Sequence, residues 1–146
     1  MSHQSSHSKT TNNLKIGILG SGLMGHGIAY VSALSGMDVV ITDISQKQVD
    51  SGLERIKVIL DESLKDGFIT EQRMVKTLAN INATDDYTLM SGCDLIIEAV
   101  NENRDLKAEV IARAEQFLNP DGIFASNTST ILITRLAEKS IQPEKF

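Results

Sequence analysis

The residues with chemistry in their spacing are Gly20-Ser21-Gly22-Leu23-Met24-Gly25, followed at position 43 by Asp. A Gly-x-Gly-x-x-Gly turn suits a ligand with a pyrophosphate. Gly20 permits a tight turn out of a strand, Gly22 offers no side chain to hold the backbone off the phosphates, and Gly25 lets the following helix pack closely on a sheet. Unpaired N–H groups at the start of that helix face the phosphates, and the helix dipole favours their charge. About 20 residues beyond the turn, a carboxylate accepts hydrogen bonds from an adenosine ribose, and Asp43 stands there. The residues therefore point to a dinucleotide. A βαβ unit that binds no nucleotide is the alternative, because glycine turns are common.

The motif needs a strand before it, a helix opening on it and a second strand ending at the acid. Lys15 to Leu19 is the apolar run before the turn, and Asp38 to Asp43 is β-branched up to its acid. The helix between them is expected to bury Ile28 and Val31 and to end near Gly36, a suitable residue just past a helix. Ser45 with Gln48 forms a capping-box pattern, behind which Val49, Leu53, Ile56, Leu60 and Leu64 share one helical face, with Gly67 as the stop. Thr70 is placed to cap a shorter helix carrying Met74 and Leu78.

A short third strand is expected within residues 78–83, a turn or single helical turn over 85–91, and a buried fourth strand around Leu95, Ile96 and Ile97. Asn103 caps the next helix, with Leu106, Val110, Ala114 and Phe117 inward. Asn119-Pro120-Asp121-Gly122 reads as a turn. A fifth strand follows at 123–125, then the polar loop Ser126-Asn127-Thr128-Ser129-Thr130 and a last helix over 133–139. Strands alternating with helices predict an α/β fold: a Rossmann-type doubly wound parallel sheet in three layers, with strand order 3-2-1-4-5. Ligands in such sheets bind beyond the carboxyl ends of the strands, where Asp43, Asn101, Glu102 and Ser126 to Ser129 all fall.

The 146 residues suffice for one core, with residues 14–146 expected to be the folded domain. Residues 1–13, rich in Ser, Thr, Asn and His, have little to bury and read as a disordered arm. His3 and His7 within it make a poor metal site, and no metal is expected. A formal net charge of −5 disfavours nucleic acid and anionic membranes, and no apolar run is long enough to span a bilayer. No secretory or transit signal is evident. The single cysteine, Cys93, excludes an intrachain disulfide and fits a reducing, cytoplasmic setting. It reads as a small buried residue beside a strand rather than a nucleophile.

On these residues the chain resembles the NAD-binding domain of the L-3-hydroxyacyl-CoA dehydrogenase family. The resemblance is carried by Gly20 to Tyr30, by Thr42-Asp43-Ile44, by Asp94 to Val100 with Glu102-Asn103, and by Ala125-Ser-Asn-Thr-Ser-Thr-Ile131. The wording is closest to the dehydrogenase part of multifunctional fatty-oxidation enzymes. The resemblance implies that Gly20, Ser21, Gly22, Leu23, Met24 and Gly25 cradle the pyrophosphate of NAD and that Asp43 holds its ribose. It implies that Glu102 and Lys107 contact the cofactor and that Ser129 stands at the reacting end, near the nicotinamide and the 3-hydroxyl of an acyl-CoA.

Each of these residues also has a plainer reading. Glu102 and Lys107 would serve as a solvent-facing pair at a helix start, Ser129 as a cap of the following helix, and Asn127 as a loop-shaping residue. Asn101 departs from the family, where an apolar residue is usual. In the family a catalytic histidine, its glutamate partner and a helical dimerisation domain follow the segment at which this chain stops. His26, read as a surface or helix-start residue, does not replace that base.

The implied reaction is hydride transfer between NAD and C3 of a 3-hydroxyacyl-CoA in β-oxidation. The parent enzyme is expected to be a homodimer. This chain alone is expected to bind NAD with little turnover and to be weakly stable or self-associating through an unpaired fifth strand. Two other readings are a NAD-binding sensor or structural module, and another 3-hydroxyacid dehydrogenase. Asp43-Ile44 argues against the NADP-using members of the latter.

Overall fold

The computed structural model describes residues 14–146. The arm expected over residues 1–13, with His3 and His7, lies outside the described residues. Five parallel strands form one sheet: β1 (Lys15–Leu19), β2 (Asp38–Thr42), β3 (Ile81–Ala83), β4 (Cys93–Glu98) and β5 (Leu118–Ser126), in the order β3-β2-β1-β4-β5. The helices are α1 (Leu23–Leu34), α2 (Gln46–Lys65), α3 (Glu71–Ala79), α4 (Arg104–Ala114) and α5 (Ile133–Ala137), with short 3-10 turns at Tyr87–Met90, Glu115–Phe117 and Pro143–Lys145. The expected order and class are those found. Among the described residues no helix is long and apolar enough to cross a membrane.

Two apolar layers flank the sheet because alternate residues of a strand face opposite ways. Ile16, Ile18, Val39 and Ile41 pack with Ala29 and Ala33 of α1 and with Ile56 and Leu60 of α2. Leu19, Val40, Ile96 and Phe124 pack on the other side with Val110, Ile111 and Ala114 of α4, with Tyr87 and with Leu136. Both faces being covered explains why β1, β2 and β4 read as unbroken apolar runs.

The helix ends follow local chemistry. Ser45 Oγ accepts from Gln48 N, Thr70 Oγ1 from Arg73 N and Asn103 Oδ1 from Leu106 N. At the end of α2, Gly67 has φ of +76°, and Gly67 N and Phe68 N donate to the carbonyls of Leu64 and Ser63, the double bond of a Schellman ending.

Two expectations are corrected. Val31 of α1 is exposed and Ile28 only partly buried. The face turned to the sheet is Gly25, Ala29 and Ala33, small residues one helical turn apart that let α1 sit close. Residues 119–122 do not separate β5 from what precedes it. Leu118 already pairs with Cys93 and Ile123 pairs with Leu95, so these residues bulge out opposite Asp94, whose Oδ1 accepts from Asn119 Nδ2 at 3.1 Å.

Candidate functional site

The loops at the carboxyl ends of β1, β2, β4 and β5 meet along one edge of the sheet. Gly20 leaves β1 with φ of +101°, and its N–H donates to Thr42 O at 2.8 Å. The positive φ favours glycine, and so does the close neighbour, since a Cβ there would stand 2.7 Å from Ala99 O. Gly25 is more constrained, because its Cβ would lie 1.7 Å from Gly20 O. Gly22 faces open space. The first helical bond of α1 is His26 N to Gly22 O, at 3.1 Å. Gly22, the N-cap of α1, supplies no side-chain cap, whereas α2, α3 and α4 each have one. The N–H groups of the first turn of α1 therefore stay available to an anion in front of them. Leu23 and Met24 project outward from that turn and are exposed.

Asp43, at the end of β2, is held before any ligand is considered. Its Oδ2 accepts from both the N–H and the hydroxyl of Ser21, each at 2.7 Å, and its Oδ1 accepts from Ile44 N at 2.7 Å. Ser21 is buried and Gln48 O lies 2.8 Å from its Oγ. Beside this carboxylate is a cleft of about 150 Å³ lined by Gly20, Gly22, Asp43, Ile44, Gln48, Ala99, Val100, Asn101 and Leu106. Ile44 and Leu106 supply apolar surface to it, and the glycine turn supplies backbone. The larger groove, about 410 Å³, lies between the end of α1 and α3 and holds none of the candidate cofactor or catalytic residues.

On the β4–β5 side an acidic chain organises the loops. Glu98, the last residue of β4, is fully buried. Its Oε1 accepts from Lys107 Nζ at 2.7 Å and from Val100 N at 2.8 Å, and its Oε2 accepts from Ser126 Oγ. Lys107 is also fully buried, which removes its solvent-facing reading, and Nζ reaches Val100 O at 3.2 Å and Glu102 Oε2 at 3.5 Å. Glu102 is exposed, and its Oε1 accepts from the Thr128 and Thr130 hydroxyls. The Thr128 hydroxyl above all, helped by Thr130 and the Lys107 charge, holds the Glu102 carboxyl down to about 2 against the opposing effect of desolvation. Ser129 is exposed in this loop and is not the cap of α5, whose N-cap is Leu132. Asn127 and Asn101 are exposed, and Asn127 N continues the β4–β5 ladder to Glu98 O at 2.8 Å.

Thus the structure brings Gly20 and Gly22 of the glycine turn and Asp43 to one cleft, and Glu102, Lys107 and the Ser129 loop to one cluster. Sequence reasoning missed Glu98, Ser126 and Thr128 as the groups that hold that cluster. A charge ending the apolar run Leu-Ile-Ile-Glu was the available signal, since a buried carboxylate requires a partner. Gly52 was missed as well. A Cβ on it would stand 2.7 Å from Ser21 Cβ, so α2 rests directly on the glycine turn. Of the two readings of His26, helix start and surface, it is the first that holds: it lies in the first turn of α1, is only 7% exposed, and its Nδ1 lies 2.6 Å from Gly22 O, which requires the ring to donate there. Cys93 is buried as expected.

Residues 15–146 match the family model described as the NAD-binding domain of 3-hydroxyacyl-CoA dehydrogenase. The fatty acid oxidation complex subunit alpha of Idiomarina loihiensis is 42% identical over 130 residues, covering 89% of this chain and 18% of that protein. The solved (S)-3-hydroxybutyryl-CoA dehydrogenase of Ralstonia eutropha superposes with a TM-score of 0.86 at 36% identity, over 90% of this chain and 47% of that one. The 3-hydroxybutyryl-CoA dehydrogenase of Escherichia coli K12 does so with a TM-score of 0.85 at 30% identity, over 90% of this chain and 28% of that one. The chain therefore spans less than half the length of each of these relatives.

Proposed function

The chain belongs to the family of NAD-binding domains of 3-hydroxyacyl-CoA dehydrogenases, and from that premise we propose that it provides the cofactor-binding half of such an enzyme. The observation that carries this reading is the cleft at the switch between β1 and β4. It joins a helix start without a side-chain cap, an open Gly22 and a carboxylate fixed at its lip. These are the groups a dinucleotide needs, and they fit. The N–H groups at the start of α1 take the pyrophosphate, and Gly20, Ser21, Gly22, Leu23, Met24 and Gly25 form its cradle. Asp43 takes the hydroxyls of the adenosine ribose, and Ile44 and Leu106 flank its base.

When bound, NAD exchanges a hydride with C3 of a 3-hydroxyacyl-CoA. The protein's part is to hold and orient. Glu98 fixes the end of β4 to β5 through Ser126 and to α4 through Lys107. Glu102, ionised across the physiological range, presents a carboxylate beside the Ser129 loop. Ser129 offers a hydroxyl at the reacting end. A base must still take the hydroxyl proton of the substrate. His26, the sole histidine among the described residues, is turned to Gly22 O and does not serve. Residues 14–146 are read as the NAD-binding domain. An acyl-CoA substrate, a homodimeric whole enzyme, a role in β-oxidation and a cytoplasmic setting complete the proposal.

Asp43 also selects the cofactor. Like charges ~4 Å apart cost about 1 kcal/mol in water and about 4 at an effective dielectric of 20. A 2′-phosphate is therefore disfavoured by about tenfold or more. Fluorescence titration of the purified chain with NADH and NADPH tests the reading. Saturable NADH binding with NADPH at least about tenfold weaker is expected. Oxidation of NADH on adding acetoacetyl-CoA is expected to stay at background. Equal binding would overturn the role of Asp43, binding of neither would overturn the cofactor site, and rapid turnover would overturn the need for a base from elsewhere.

A further inference from the structure

The bonds around Asp43 leave too little room for the ligand it is to bind. An ionised carboxylate has about four in-plane acceptor sites, two on each oxygen. Ser21 N–H and Ser21 O–H occupy both sites of Oδ2, and Ile44 N–H occupies one of Oδ1. One site remains, whereas an adenosine ribose brings two hydroxyl donors. The two amide donors are fixed by the backbone. The Ser21 hydroxyl is not: it has one proton and a second acceptor, Gln48 O, at 2.8 Å. That acceptor is held in place, because α2 rests on the turn where Gly52 meets Ser21, with no room for even a methyl group between them.

We propose that Ser21 is a specificity-determining rotor. Its hydroxyl, within reach of both acceptors in the structure, donates to Asp43 Oδ2 in the free chain and swings to the Gln48 carbonyl when the ribose of a dinucleotide donates to Oδ2. The inference rests on the cofactor reading above and adds a competition to it. The Ser21 proton and one ribose hydroxyl contend for the same lone pair, so each weakens the effect of the other. A hydroxyl that merely braced Asp43 for the ribose would have the opposite sign.

The test is a double-mutant cycle between protein and ligand. NADH, and NADH lacking either the 2′- or the 3′-hydroxyl of the adenosine ribose, are titrated into the wild-type chain and into Ser21→Ala, which removes one oxygen and no carbon. For one of the two analogues, deleting the ribose hydroxyl is expected to weaken binding about threefold to tenfold more in Ser21→Ala than in wild type. An equal or smaller loss in Ser21→Ala for both analogues overturns the rotor while leaving the cofactor reading intact. Absence of NADH binding by the wild-type chain overturns the cofactor reading, and the rotor with it. Matching far-UV spectra and melting temperatures of the two proteins confirm that the comparison is between folded chains.

Discussion

Lys107 Nζ lies 2.7 Å from Glu98 Oε1, and neither side chain is more than 1% exposed. The pair joins the end of β4 to the first turns of α4, and Ser126 of β5 closes it from the other side. Two charges taken out of water are tolerated only while each has its partner. Lys107→Met leaves a buried carboxylate with the Val100 amide and the Ser126 hydroxyl as its donors. It is expected to cost about 3–5 kcal/mol, read as a lower urea midpoint at unchanged slope. Adding Glu98→Gln to Lys107→Met removes the stranded charge and is expected to recover part of that loss. Equal stability of the single variant and the wild type would show that the pair holds nothing.

Glu102 tests the same cluster by pH. Its carboxyl is held down to about 2 from an ordinary 4.5, first by the Thr128 hydroxyl. A depressed folded-state value contributes stability that is present above pH 4.5 and lost as the pH falls toward 2. Thr128→Val removes the main donor and is expected to return the Glu102 titration toward 4.5, followed by carboxyl carbon shifts in NMR. A titration unmoved by the substitution would mean that Thr128 does not hold this carboxylate.

The sheet was legible because periodicity and punctuation report local structure. Apolar runs, Gly36, Gly67, Ser45, Thr70 and Asn103 mark elements by contacts made within a few residues. The glycine turn and Asp43 were legible for a similar reason, since their spacing is fixed by one βαβ unit. What could not be read depends on contacts between distant segments. Lys107 looks like an ordinary helix-surface lysine until the end of β4 folds over it. Asn119 to Gly122 has turn chemistry, yet Leu118 finds a partner in Cys93, so the turn becomes a bulge inside a longer strand. His26 carries no sign that a neighbouring carbonyl will bury its ring. Gly52 looks like a defect in α2 until Ser21 is seen against it.

Cys93 offers a probe of the core. Burial pushes its thiol up to about 11 from 9.0, with Asp94 and Asp38 adding to the shift and Lys15 opposing it. At pH 8 the group is a neutral thiol out of reach, so a disulfide reagent such as DTNB is expected to react only as the protein unfolds. Its rate should rise along the urea transition. The raised value also means that this group's contribution to stability is full below pH 9 and is lost as the pH rises toward 11. Rapid labelling of the native protein at pH 8 would place Cys93 nearer the surface than the structure does.

Two glycines of α1, two positions apart, should respond in opposite directions. A methyl group at Gly25 would lie 1.7 Å from the Gly20 carbonyl oxygen, and both partners are backbone, so neither can turn aside. Gly25→Ala must force α1 away from the turn. It is expected to cost at least about 3 kcal/mol and to abolish NADH binding, because the cradle and the helix start move apart. Gly27 lies inside the same helix, and a methyl group there meets nothing within 4 Å. Gly27→Ala only removes freedom from the unfolded chain and adds helix propensity. A gain of about 0.5–1 kcal/mol, or about 3 °C in melting temperature, is expected, with NADH affinity unchanged. Differential scanning calorimetry and the NADH titration, run on both variants, decide the matter. If Gly25→Ala melts and binds as the wild type does, α1 is not seated on the turn through that residue; if Gly27→Ala destabilises the fold, α1 meets another surface on that side.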